Sequence, residues 1–308
     1  MTASARSSLR ALLQQAKRPL ESNPGRRVDR PTDLIRIIYW YRGLSLRLKT
    51  QSHYEVGKRI EPAAYWVTED GRSHYHRNKW SKYAIGKHRP NMGLIQRADA
   101  ICPGSAIEIN HVLWKMLRQR PTGRVEIEKL EAGLCARARQ ILLRWETQCI
   151  GTRGQVNEPF ARQLQMLDCL DSFAAMQLQC ERAWLAGDSE VAFEWVRRIY
   201  AGFFVHGVEL LNRGITRPLM DLIDMRLFSV IVHRGAFYRA RPQDYFVDFS
   251  FIRCWTVRDP LIGPARPVHL REKMVSSVLR RARQEPRLCS INPFDDELDF
   301  SPFLRRMG

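Results

Sequence analysis

The second half of the chain carries apolar residues at the spacing of amphipathic helices, and this pattern constrains the fold more than any other feature. Between residues 160 and 230, three successive helical patterns are separated by Gly187 and Gly214, and new ones begin at Asp188 and Thr216. Glycine closes helices because it tolerates the left-handed conformation, whereas Asp and Thr side chains cap the exposed amides at helix starts. The sequence therefore predicts a mainly α-helical fold, with a C-terminal bundle of consecutive helices.

The N-terminal part predicts a helix followed by a short β-hairpin. Pro31, Thr32 and Asp33 form a helix-start signal. The apolar residues that then recur at helical spacing are Leu34, Ile37, Ile38 and Tyr41. Further on, β-prone segments flank Asp70-Gly71, a dipeptide that favours a two-residue hairpin turn. One more strand is predicted at residues 245–251, where apolar and polar residues partly alternate.

Breaks in these patterns divide the chain into four predicted segments. Residues 1–30 are predicted to be a basic flexible leader, because Pro24 and Gly25 break any helix at residues 22–27 and nothing apolar anchors that stretch. The strongest boundary signal is Pro121-Thr122-Gly123. It separates a basic domain at residues 31–120 from a helical interaction domain at residues 121–290. Residues 291–308 form an acidic tail with interleaved aromatic side chains.

Positive charge is concentrated in the N-terminal part of the chain. The 308 residues carry a net charge of +18. Residues 1–120 contain 23 Lys and Arg against 9 Asp and Glu, which is +14 of that total. With 44% hydrophobic residues the chain can bury a core and is not a disordered polycation. The excess charge points to a polyanionic partner, either nucleic acid or an anionic membrane surface.

A basic turn in this region carries the most specific local signal. Gly86 can close one helix, Lys87-His88-Arg89 supplies charge, and Pro90 suits the start of the next helix. Residues 77–105 resemble the junction after the recognition helix in the Xre/Cro-repressor family of helix-turn-helix proteins, where Gly, basic residues and Pro recur at this spacing. Ala84 departs from the family, which usually has an acidic residue at that position.

The resemblance implies DNA-binding roles for side chains on and beside this helix. Asn or Arg side chains could read base edges, whereas the basic residues of the turn would contact phosphates. Trp80 and Tyr83 would form the core side of the helix. The residues to which the resemblance assigns nucleic-acid contacts are Arg77, Asn78, Lys79, Ser81, Lys82, Lys87, His88 and Arg89.

The sequence contains no linear signature of catalysis, and we predict no catalytic residue, metal or cofactor. A nucleophile elbow, a phosphate-binding loop and a dinucleotide-binding glycine motif are all missing from it. The seven cysteines form no C-x-x-C pair, which argues against a zinc ribbon. His74 and His76 could share one face of a strand, but exposed hairpin histidines are the favoured interpretation. His206 and His233 are interpreted as core or interface residues.

These observations favour a cytoplasmic, DNA-binding regulatory protein of bacterial, phage or plasmid origin, with DNA preferred over RNA. The helical domain is predicted to mediate self-association or to bind a protein partner. No membrane span is predicted, because no apolar run reaches the roughly 18–20 residues that a span needs, and between the two polyanionic partners we favour nucleic acid over a membrane. Two alternatives stay open: a non-enzymatic subunit or scaffold of a mobile-element or phage-defence assembly, and an enzyme whose catalytic groups converge only in the fold.

Overall fold

The computed structural model describes residues 30–67, 73–74, 78–148, 156–238 and 288–290. The predicted leader lies outside these residues except for Arg30. The predicted strand at 245–251 and the tail at 291–308 also lie outside them.

The described part of the chain is mostly helical, which confirms the predicted fold class at that level. The N-terminal helices are α1 (Arg30–Arg47), α2 (His53–Ile60), α3 (Lys79–Ala84), α4 (Met92–Ile101), α5 (Ser105–Asn110) and α6 (Val112–Arg118). The later helices are α7 (Arg124–Glu131), α8 (Ala136–Gln148), α9 (Glu158–Gln165), α10 (Cys169–Leu185), α11 (Ser189–Val205), α12 (Gly207–Asn212) and α13 (Thr216–Ile223). A 3-10 turn spans Pro62–Ala64, and a π-helical turn, Asp224–Phe228, follows α13.

Short strands accompany the helices at two places. Strands β1 (Trp66–Val67) and β2 (Ser73–His74) pair antiparallel, in the region where the sequence predicts a hairpin; the predicted Asp70-Gly71 turn itself lies outside the described residues. A second sheet has the order β3 (Val232–His233), β4 (Ala236–Tyr238) and β5 (Leu288–Ser290), all antiparallel. The sequence did not predict these three strands.

Helix α1 lies between two hydrophobic clusters and contributes side chains to both. The larger cluster takes Ile35 and Tyr39 from α1 and combines them with buried residues of α6 to α13. The smaller cluster takes Trp40 and Leu44 from the same helix and combines them with α2 to α5. These α1 side chains are all 2% exposed or less. The helix is thus buried on nearly every side, although the sequence pattern predicted a single apolar face.

Helices α10 and α11 form the centre of the larger cluster. They are joined by a turn at Gly187, whose φ of +78° is the left-handed conformation expected at a helix end. Phe173 near the start of α10 lies 4.9 Å, centroid to centroid, from Phe203 near the end of α11, so the two helices run antiparallel. The region is helical, as predicted, but the three predicted helical patterns form the five helices α9 to α13, because the chain breaks again at residues 166–168 and at His206.

Asp171 on α10 links three helices through buried hydrogen bonds. Its Oδ1 accepts from the backbone amide of Cys135 at 3.0 Å and lies 3.3 Å from His111 Nε2. Because His111 Nδ1 accepts from the Leu113 amide, Nε2 carries the proton and donates it to Asp171. Burial by itself raises the pKa of the Asp171 carboxyl, but the two hydrogen bonds outweigh burial and lower it.

Replacing Asp171 by Asn should lower the free energy of unfolding by about 1–3 kcal/mol at pH 7, because a charged acceptor of two buried hydrogen bonds is lost. In the wild-type protein the Asp171 carboxylate makes its full contribution to the free energy of unfolding above the pKa of an unfolded Asp, about 3.9. This contribution is lost as the pH falls through the lowered pKa of Asp171 in the folded state. The wild-type protein and the variant should therefore have similar stabilities in acid. Urea unfolding between pH 3 and pH 7 measures this difference. The exposed Asp168→Asn change is the control, and a difference independent of pH would contradict the prediction.

Candidate nucleic-acid interface

The basic turn is held in a defined conformation by the end of α3. The Lys87 amide donates to the Lys82 carbonyl at 2.8 Å, and the Gly86 amide donates to the Tyr83 carbonyl at 3.0 Å. This pair of bonds is the Schellman arrangement, which places one left-handed residue after the helix. Gly86 is that residue, with φ +71°. A Cβ there would also lie 2.7 Å from the carbonyl oxygen of Leu34, so the turn packs closely on α1.

The side chains of the turn point into solvent while their neighbours are anchored. Lys87, His88 and Arg89 are exposed, whereas Pro90 is buried. Asn91 then caps α4, because its side-chain oxygen accepts from the Leu94 amide at 2.8 Å. Three consecutive basic-type residues are therefore presented on a short segment that is fixed at both ends. Such an arrangement can bind phosphates without first paying the entropy of ordering a loop.

The helix before the turn is oriented by an aromatic cluster. Trp80 and Tyr83 are 2% and 6% exposed, on the core side that the family resemblance implies for them. Trp80 lies 6.3 Å from Trp40 of α1 and 5.5 Å from Tyr83, measured between ring centroids. On its other side Trp80 packs against Gly57 of α2, where a Cβ would come within 2.5 Å of the indole. Helix α2 thus packs directly on α3, although two short strands separate them along the chain.

The other residues assigned to the interface differ in their exposure to solvent. Asn78 is exposed, and Ser81 and Lys82 are partly exposed. Ser81 donates to the Asn78 carbonyl at 3.0 Å. Arg77 lies outside the described residues. The nucleic-acid role of all these residues stays a prediction.

Lys79 has a structural partner that the sequence did not predict. Its ammonium lies 2.7 Å from a carboxylate oxygen of Glu61, and Arg97 of α4 lies 2.9 Å from the other oxygen. The Glu61 side chain is only 10% exposed. This carboxylate therefore ties the start of α3 to α4, and a phosphate could recruit Lys79 only in competition with it.

Further arginines that the sequence analysis did not assign to the site lie beside the turn. Asp33 pairs with Arg36 at 2.7 Å and with Arg118 at 2.8 Å, so one carboxylate faces two guanidinium groups. Burial lowers the pKa of Arg36, Asp33 opposes this, and the charges of Arg89 and Arg118 add to the lowering. The Arg89 guanidinium therefore lies near those of Arg36 and Arg118, and among the described residues only the carboxylate of Asp33 is paired with this group of cations. Arg118 has a side chain 37% exposed but is paired with Asp33, so, like Lys79, it could meet a phosphate only in competition with a carboxylate.

No linear signal could have identified Arg36 and Arg118 as neighbours of the turn. They are separated from it by tens of residues in each direction, and only the packing of α1 and α6 brings them near residues 87–89. Within the described residues, no helix is long and apolar enough to cross a membrane.

No protein-family model, no curated protein and no solved structure matches the chain.

Proposed function

We propose that this chain binds nucleic acid, with DNA preferred, through a basic surface. The basic surface is formed by Lys87, His88 and Arg89 together with the neighbouring Arg118 and Lys82. The observation that carries the proposal is the rigid presentation of residues 87–89 by Gly86 and Pro90, next to an excess of arginine. Phosphate groups are the natural ligands of such a surface, because guanidinium and ammonium groups release condensed counterions when they bind them.

In the proposed orientation α3 lies next to a DNA groove, and residues 87–89 contact the phosphates. Asn78 and Ser81 would then be the side chains nearest the base edges, since Asn78 is exposed just before α3 and Ser81 is partly exposed in its first turn. The family resemblance supports this assignment and suggests a regulatory role. The charge distribution supports it independently, because residues 1–120 hold +14 of the net +18.

The helices between residues 121 and 290 belong to a second part of the proposal, in which they contact a protein partner or another copy of the chain. Val125 on α7 and Leu143 on α8 are 63% and 62% exposed and could take part in such a contact. Mass photometry of the purified chain would detect self-association. A monomer at all concentrations would leave the partner role to another protein.

The basic surface can be tested with the double variant Lys87→Ala/Arg89→Ala. Each phosphate contact contributes about 0.9 to the slope of log affinity against log salt, so the variant should lose about 1.8 from that slope. At 0.15 M salt this corresponds to roughly 30-fold weaker binding to duplex DNA, if the contribution vanishes near 1 M. Fluorescence anisotropy at several salt concentrations measures both quantities.

A matched control removes the same charge from another helix. Arg137→Ala/Arg139→Ala deletes two exposed cations of α8, which belongs to the larger cluster, and should change the slope little. Equal losses in the two double variants would show a diffuse charge effect and contradict the assigned surface. A wild-type chain that binds neither duplex nor single strands at low salt would overturn the proposed function.

A further inference from the structure

A separate group of polar side chains lies inside the larger hydrophobic cluster. Cys169, His206 and Glu209 each offer one donor atom, and these three atoms lie within 4.8 Å of one another. Cys169 is the first residue of α10, His206 lies at the junction of α11 and α12, and Glu209 is in the first turn of α12. The i, i+3 spacing of His206 and Glu209 turns both toward Cys169. We call these three residues the Cys-His-Glu cluster.

Two further residues hold the carboxylate of this cluster in place. The Tyr39 hydroxyl donates to Glu209 Oε1 at 2.6 Å. The Arg213 guanidinium lies 3.9 Å from the same oxygen, stacks on the Tyr39 ring at 4.3 Å and is fixed by two hydrogen bonds to Glu108, at 3.1 and 2.8 Å. Hydrogen bonds of this kind orient metal-binding carboxylates in proteins, leaving the second oxygen to face the metal.

We propose that the Cys-His-Glu cluster binds a zinc ion. A thiolate, an imidazole and a carboxylate are all zinc ligands, and three protein ligands leave one of four tetrahedral positions for water or another small molecule. The sulfur donor favours zinc over magnesium and calcium, which prefer oxygen ligands. The proposal does not depend on nucleic-acid binding, since none of these residues belongs to the basic surface.

Burial keeps the thiol of this cluster away from reagents in solvent. Cys169 is only 1% exposed. A thiol without solvent access is a poor nucleophile toward dissolved reagents. Zinc would take the place of the thiol proton, which leaves to solvent as the sulfur–zinc bond forms. The Glu209 side chain is 41% exposed and gives the ion a route into the site.

The site can be tested on the full-length chain after its metals have been removed with a chelator. Zinc titration against a chromophoric chelator should give one tight site per chain, and cobalt should produce a thiolate-to-metal absorption band with visible bands of tetrahedral intensity. Cys169→Ser should abolish the thiolate band. Tyr39→Phe should weaken zinc binding about 10–100-fold while the band stays, as expected for an outer partner of a ligand.

Cys180→Ser is the matched control, because Cys180 is also buried on α10 but donates to the Ala192 carbonyl outside the cluster. It should leave both zinc affinity and the cobalt spectrum unchanged. If Cys169→Ser does not fold, Glu209→Gln tests the same site at a partly exposed position and should weaken zinc binding by more than Tyr39→Phe does. Absence of tight zinc binding by the wild-type chain, or an unaltered thiolate band in Cys169→Ser, would overturn the proposal.

Discussion

Replacing Arg120 by Met is expected to lower the free energy of unfolding by about 3–5 kcal/mol. The Arg120 guanidinium donates two parallel hydrogen bonds to Glu181, at 2.8 and 2.7 Å. The Glu181 side chain is only 1% exposed. Without its partner this carboxylate would stay in the hydrophobic cluster as an uncompensated charge, because the surrounding helices leave water little access to it. Urea unfolding at pH 7, followed by circular dichroism, measures the loss.

Two further variants separate this cause from a general effect of losing arginine. Arg124→Met breaks the pair with Glu128, whose two side chains are 91% and 55% exposed, and should cost under about 1 kcal/mol. The double variant Arg120→Met/Glu181→Met removes both charges and should recover most of the stability, since an apolar pair can replace a buried ion pair. Similar costs for Arg120→Met and Arg124→Met would contradict the prediction.

Replacing Trp40 by Ala is expected to cost about 3–5 kcal/mol of stability, the usual range for a fully buried aromatic residue. Trp40 is 0% exposed and packs against Trp80 and Tyr83 in the smaller cluster. Among the described residues its indole nitrogen has no hydrogen-bond partner. The loss of stability should therefore come from lost packing contacts and from the cavity left behind, because the variant does not lose a hydrogen bond of the indole.

The shape of the unfolding curve adds a second test of the same variant. Because α1 contributes to both clusters, destabilising one should destabilise the other, and Trp40→Ala should still unfold in a single transition at lower urea. Met92→Ala, at a position 60% exposed, should change stability by less than about 0.5 kcal/mol. A separate early transition for Trp40→Ala would show that the smaller cluster unfolds independently of the larger one.

The local features of the candidate interface could be predicted from sequence because they depend on neighbouring residues. Gly86 closes α3 in the left-handed conformation, as predicted, and Pro90 stands two residues before the next helix, which begins at Met92. Trp80 and Tyr83 are buried, on the side of the helix that the family resemblance implies. The pairing of Lys79 with Glu61 could not be predicted in the same way, because it depends on how α2, α3 and α4 meet.

The sequence by itself indicated a mainly helical fold, the helix ends near Gly86, Gly187 and Gly214, and the concentration of positive charge, since helical periodicity, caps and composition are local properties. Tertiary structure alone decided that α1 lies between two clusters, that Arg118 lies beside Asp33, and that Cys169 meets His206 and Glu209. His206, interpreted from its apolar surroundings as a core or interface residue, is indeed buried, yet its polar neighbours are visible only in the fold. The physical reason is that packing brings together side chains distant in sequence, and one chain carries no local record of those contacts.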